Sequence, residues 1–409
     1  MKNKLLLFSK ILSGNAFSQM IVIFTTPLLT RLYSVDDFGV LGLVNAILLI
    51  VGVIGCLRYD QLMYSTINEK DWNIFYSNSI FSSFLVSVFA FFVLMILNSA
   101  YDYLNFELII LVSLMIFLFS ITQILSASLA VHRFYVYISN SFLLKSIFVF
   151  VSQYMLFDYL GSSALIWGLV LGQFFQVTIL FLLVSKETKL VYSFSCLMFP
   201  SKNSISSTVQ SLSNSFSSQL PSIIIPSKFS MELMGYYSMA LRLTYLPITF
   251  FSNALRPYLL GELNRKRNEH ASVFNTLLYG SLILLLFSII GVVLIYFFSK
   301  PFFILYAGPE WELSGDISVV LSFWIMTAFS NIISTCYLTV YSKFKELLVY
   351  DSLLLVARLM VVMFMLLLNF TFFEFITAYS IVGSFFNFCI IFFAIKLGYD
   401  EKNSNSYNS

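Results

Sequence analysis

The sequence predicts an all-α polytopic membrane protein, and three observations predict it. Hydrophobic residues make up 59% of the 409 residues and charged residues only 11%, against about 25% charged in a soluble domain. The apolar residues fall in continuous runs of about 20, the length at which a helix crosses the bilayer core; they do not alternate as barrel strands do. Lysine and arginine gather between alternate runs, the asymmetry that sets membrane orientation. The same composition excludes a soluble enzyme, a disulfide-stapled secreted domain and a disordered chain.

The first span, Ile11–Leu32, follows a basic lead-in, Met1 to Ser13. Polar residues interrupt that lead-in and no small-residue cleavage site follows cleanly, so it reads as retained rather than as a secretory signal. Phe38–Leu57, Ser77–Leu97, Phe106–Ser128, Ser141–Leu160 and Ala164–Val184 follow as apolar runs of spanning length. Gly235–Leu255, Asn275–Phe298, Ile317–Tyr341, Leu347–Leu368 and Phe375–Ile395 do the same in the second half.

A twelfth span, Asn203–Pro226, is polar: serines alternate with Thr208, Gln210, Asn214 and Gln219. Hydropathy alone rejects it, and the charge bias restores it. With twelve spans and cytoplasmic termini, the cytoplasmic side holds Lys2, Lys4, Lys10, Arg58, Lys70, Arg133, Lys186, Lys189, Lys202, Arg256, Arg265, Lys266, Arg267, Lys343, Lys345, Lys396 and Lys402. The outside keeps only Lys228 and Lys300. Without the polar span, every basic group after it changes side. A polar spanning helix must turn its polar face to other helices or to water. Both a serine-rich packing seam and a hydrated path fit; the bulk of Gln210, Asn214 and Gln219 favours the path.

Two six-helix bundles are expected, residues 1–200 and 201–398, with a polar, frayed cytoplasmic tail at 399–409. A short internal repeat supports the division. Asn15-Ala-Phe-Ser-Gln19 is echoed by Asn214-Ser-Phe-Ser-Ser-Gln219, a glycine opens each following helix (Gly39, Gly235), and an arginine closes it (Arg58, Arg256). Parallel six-span repeats are a transporter arrangement. Prolines Pro27, Pro221, Pro226 and Pro247 cluster in the same helices, where they bend the chain and free carbonyls.

The deep charges are all cations. Lys145, Arg242 and Arg358 fall inside spans and Arg31 at a span end, whereas no Asp or Glu lies at comparable depth. One such charge disfavours insertion by about 2.5–3.5 kcal/mol, against about 0.3–0.6 gained per Leu or Phe. An anionic substrate is the simplest counter-charge. For Lys145 and Arg31, snorkelling to the headgroups is an equal reading; for Arg242 it is a harder and lesser one, and Arg358, too deep for easy snorkelling, has bonding to the carbonyls of a broken helix as its alternative.

Other chemistry is missing. Cys56, Cys196, Cys336 and Cys389 are far apart in sequence, and His132 and His270 fall in expected loops, so no metal site is expected. There is no phosphate-cradling glycine loop and no Ser/His/Asp set, so the expectation is a transporter without cofactor, not an enzyme.

The first sixty residues carry a further pattern: Gly14-Asn15, Gln19, Pro27-Leu28-Leu29-Thr30-Arg31-Leu32-Tyr33-Ser34, Asp36-Asp37-Phe38-Gly39 and Leu57-Arg58-Tyr59-Asp60. It resembles the polysaccharide biosynthesis flippases, the O-antigen-type translocases of the multidrug/oligosaccharidyl-lipid/polysaccharide exporter superfamily. Gly235-Tyr236-Tyr237-Ser238, Arg242-Leu243, Leu246-Pro247 and Ala254-Leu255 resemble both that family and its relative, the lipid II flippase. The resemblance implies two bundles around a central cavity, working by alternating access on an undecaprenyl-diphosphate-linked oligosaccharide at the bacterial inner membrane. It places Arg242 on a diphosphate-contacting position and Arg58 on a looser match. The relative's mid-span arginines of the first helix are absent, and Gln19 stands there instead. Expected partners are the lipid-linked substrate, membrane lipids and the polysaccharide polymerase and chain-length machinery, with no nucleic acid. A multidrug exporter of the superfamily would need deep carboxylates, which are absent. An O-antigen polymerase or ligase would need a large outer loop with catalytic arginines or histidine; the longest outer loop has Lys300 as its only basic residue.

Overall fold

The computed structural model describes residues 2–60, 63, 69–101, 105–132, 134–187, 202–269 and 271–407. Arg133, Lys189, Cys196 and His270 lie outside the described residues. Those residues form helices and no strand. In chain order the helices are α1 (Lys2–Leu29), α2 (Val35–Val51), α3 (Glu69–Tyr101), α4 (Phe106–Val131), α5 (Tyr135–Leu160), α6 (Ala164–Glu187), α7 (Lys202–Lys228), α8 (Met231–Asn268), α9 (Phe274–Ala307), α10 (Glu312–Ser330), α11 (Ile332–Val340), α12 (Phe344–Leu368) and α13 (Phe372–Tyr407). Among the described residues, 7 segments are long and apolar enough to cross a membrane. The protein is a multi-pass membrane protein.

The contacts divide the chain into two compact units, Met1–Gly235 and Tyr236–Ser409. In the first unit α5 packs on α1 and α6, α3 on α4, and α7 on α2. The polar α7, 27 residues long and carrying Pro221 and Pro226, is therefore a continuous helix of about 40 Å at 1.5 Å per residue. In the second unit α9 and α13 pack on α10. Its inner core joins Leu263, Leu277, Ile333 and Ala394.

Three elements differ from the sequence expectation for identifiable reasons. The second span was expected to run to Leu57, but α2 stops at Val51 and the chain turns through Gly52–Arg58. Gln123 donates to the Gly52 carbonyl at 3.4 Å, and Gly55 is so close to α4 that a Cβ would stand 1.8 Å from the Ser120 hydroxyl oxygen. The tenth span is broken at Asn331, whose side chain donates to Asn387 Oδ1 at 2.6 Å. The tail expected to fray continues α13 to Tyr407: the buried Tyr337 hydroxyl donates to Glu401 at 3.0 Å, and Tyr399 meets the Phe274 ring edge-on.

Candidate substrate-binding cations

The second unit holds two of the expected cations, in contrasting surroundings. Arg242 is on α8, one turn before Tyr245. It is half-buried and within electrostatic reach of Tyr306. Ion pairs among the described residues include Arg265 with Glu262 and Lys300 with Glu312 and Asp316. None includes Arg242, Lys145, Arg31 or Arg58.

Arg358, on α12, is only 2% exposed and sits inside an aromatic cage. Its guanidinium carbon lies 4.6 Å from the Trp324 ring centre and 4.3 Å from that of Tyr379, distances at which the ring quadrupoles attract a cation. The guanidinium also donates a hydrogen bond to the Tyr379 hydroxyl oxygen. The two rings meet edge-on at 5.6 Å, and Tyr245 approaches Trp324 at 6.3 Å. Gly383 makes the room: a Cβ there would stand 2.5 Å from Trp324 Cδ1 and 3.0 Å from Arg358 Nη2. Asn387 fixes the other side, donating to the Trp324 carbonyl at 3.3 Å and to Thr327 Oγ1 at 3.1 Å. Tyr245, in reach of Arg358, is the bridge from this cage to the helix that carries Arg242. Trp324, Tyr379 and Gly383 were not singled out in the sequence; Trp324 lies on α10 and the other two one turn apart on α13, and no local pattern marks them.

In the first unit Lys145 does not reach for a headgroup. Its ammonium donates to Gln173 Oε1, Gln173 donates onward to Thr122 Oγ1, and Gln176 donates to Ser141 Oγ at 3.3 Å. Gln173 and Gln176 are buried, so the charge is solvated by amides and hydroxyls of α4, α5 and α6.

Arg58 lies in the turn after α2. Leu57 (φ 47°) and Arg58 (φ 56°) are both left-handed, which is uncommon for non-glycine residues and concentrates at functional positions. Arg31, just past α1, and Gln19, on α1, are exposed. On α7, Asn214 is exposed, Gln210 is half-buried, and the half-buried Gln219 accepts from Ser222 at 3.4 Å. Arg242 and Arg358 thus share a unit through Tyr245, whereas Lys145, Arg31, Arg58, Gln19, Gln210, Asn214 and Gln219 all belong to the other.

At the start of α2 and α8 the first unit has a feature the sequence only hinted at. Ser34 caps α2 in a reciprocal box with Asp37, and Ser230 caps α8 by accepting from the Leu233 amide at 3.0 Å. The capped turns read Ser34-Val-Asp36-Asp-Phe-Gly39 and Ser230-Met-Glu232-Leu-Met-Gly235, and they meet. The Asp36 carboxyl is held above the usual range by burial and by the nearby charges of Glu232 and Asp37.

A family model described as polysaccharide biosynthesis protein matches residues 28–312, well over half of the chain. The chain belongs to this family. The match runs from Leu28, in the first motif, through Arg242 to Glu312. As a polysaccharide biosynthesis family member it shares its fold with solved transporters of the MOP superfamily. It superposes on the lipid II flippase MurJ in an inward closed conformation with a TM-score of 0.73 at 16% identity, covering 96% of this chain and 87% of that one. On an inward-facing multidrug resistance MATE family transporter the TM-score is 0.71 at 14% identity, covering 95% and 96%. A MOP superfamily transporter from Pyrococcus furiosus, described as having a binding pocket of reversed polarity, gives 0.61 at 13% identity, covering 97% and 95%. No curated protein matches the chain.

Proposed function

We propose that this polysaccharide biosynthesis protein is a flippase rather than an enzyme. It carries an undecaprenyl-diphosphate-linked oligosaccharide from the cytoplasmic to the outer leaflet of the bacterial inner membrane by alternating access. The twelve-span, two-bundle arrangement and cytoplasmic termini expected from the sequence belong to this reading, as do a polymerase and chain-length machinery as downstream partners.

The observation that carries it is Arg242. It stands on a helix inside the family-matched region, half-buried, with no ion pair among the described residues. A cation held at that depth is expensive without a counter-charge, and a diphosphate supplies one, with oxygens suited to the guanidinium fork. Arg58, Arg31 and Lys145 provide further positive charge, and the Gln219, Asn214 and Gln210 amides of α7 suit glycan hydroxyls. Arg358, enclosed by Trp324 and Tyr379, acts by positioning Tyr245 and its helix rather than by touching the diphosphate.

The test is surface glycan in cells relying on variant protein. Arg242→Ala abolishes display at normal protein level and Arg242→Lys retains part of it; normal display by the alanine variant rejects the reading.

A further inference from the structure

The second unit has an apolar groove walled by α11, α12 and α13, with a volume of about 660 Å³. Val349, Leu353, Phe386 and Phe393 line its length, and Lys345 and Glu346 line one end. From Lys345 to Leu353 is about 12 Å of helix at 1.5 Å per residue, close to one leaflet of a hydrocarbon core about 30 Å thick. The charged end is the one expected to face the cytoplasm, at headgroup level.

The two charges are neighbours in sequence and cannot pair with one another, because consecutive residues on a helix do not face each other. Lys345 is exposed and Glu346 half-buried, and no ion pair among the described residues includes either. The groove end therefore presents one positive and one negative group, side by side, above an apolar trough. The geometry points to one bound phosphatidylethanolamine molecule: acyl chain along Val349, Leu353, Phe386 and Phe393, phosphate on Lys345, headgroup ammonium on Glu346.

Charge complementarity selects this lipid over the common alternatives. A phosphoglycerol headgroup satisfies Lys345 but has no cation to offer, and leaves the Glu346 carboxylate without a counter-charge. A choline headgroup has a cation but no N–H to donate to the carboxylate, whereas the ethanolamine ammonium has three donors. A second groove, about 740 Å³ and lined by Pro247, Phe251 and Phe287 among other apolar residues, has no charged lining residue and so selects no headgroup. The lipid site is independent of the transported substrate.

The test uses the full chain reconstituted in vesicles with equal amounts of phosphatidylethanolamine, phosphatidylglycerol and phosphatidylcholine, then extracted mildly for native mass spectrometry of retained lipid. The wild type retains one phosphatidylethanolamine in preference to the other two by about tenfold, the size expected of a charge-assisted hydrogen bond. Glu346→Gln turns the preference towards phosphatidylglycerol, Lys345→Gln lowers retention of every phospholipid, and Leu353→Trp, which fills the trough, removes the adduct with the headgroup charges intact. Equal retention of the three lipids, a wild-type preference for phosphatidylglycerol or phosphatidylcholine, or the wild-type pattern in all three variants overturns the assignment.

Discussion

Gly39 and Gly235 each lie against the carbonyl four residues before the other. A Cβ on Gly39 would stand 2.1 Å from the Met231 oxygen, and one on Gly235 would stand 2.0 Å from the Val35 oxygen. The first turns of α2 and α8 are thus related locally by a two-fold exchange, each capped by a serine, each bearing an acid two residues later, each admitting the other through a glycine. Small residues are what let helix backbones approach this closely in a membrane.

Alanine at either position therefore forces the two turns apart. Overpacking of a close contact costs about 1–3 kcal/mol, so Gly39→Ala and Gly235→Ala each lower the thermal midpoint of the purified protein by a similar amount. Unchanged midpoints show that the approach contributes nothing to stability.

The contact also responds to pH. Asp36 keeps its proton to higher pH than an ordinary aspartate, so the protonated form favours the close approach. The stabilisation is present below the ordinary aspartate range and is lost as pH rises through the raised value, where Asp36, Glu232 and Asp37 repel one another. Amide exchange at Val35–Gly39 accelerates across that interval in the wild type, and Asp36→Asn removes the acceleration. A wild-type exchange profile flat after correction for intrinsic rates opposes this.

The aromatic cage makes Arg358 a stability residue. A desolvated cation–π contact is worth about 2 kcal/mol or more, and Arg358 makes two. Arg358→Ala lowers both the thermal midpoint and transport, Arg358→Lys restores only part because an ammonium lacks the planar face, and Gly383→Ala follows Arg358→Ala by displacing the Trp324 ring. Arg242→Ala, by contrast, loses transport with the midpoint kept. If Arg358→Ala leaves the midpoint unchanged, the cage has no structural role.

Lys145 and Gln173 are coupled. Gln173→Leu takes away the acceptor of a buried ammonium, an unsatisfied group costing about 1–3 kcal/mol, whereas Lys145→Met with Gln173→Leu removes both partners. The double variant is more stable than Gln173→Leu alone by thermal unfolding; additive effects would mean the two side chains do not interact.

The long apolar segments were legible because length and hydropathy are local properties, and residues 202–228 form the helix that the charge bias calls for. Gly39 and Gly235 were legible because short motifs bear them. The cage was not: Trp324, Arg358, Tyr379 and Gly383 belong to three helices, and only tertiary packing brings them together. The unwound turn at Gly52–Arg58 was hidden for the same reason, since Gln123 and Ser120 of α4 decide it. Ser34 and Ser230 could have been found by aligning the two glycine-opened helices five residues further back, where the acidic partners Asp36 and Glu232 also match.

The central claim is that Arg242 meets the diphosphate of a lipid-linked glycan. Its most direct measurement is translocation by the purified protein in vesicles loaded on one face with undecaprenyl-diphosphate-oligosaccharide or with the same glycan on an uncharged lipid. The account predicts wild-type transport of the diphosphate lipid alone, lost in Arg242→Ala and partly kept in Arg242→Lys. Equal transport of both lipids by the wild type, or undiminished transport by Arg242→Ala, contradicts it.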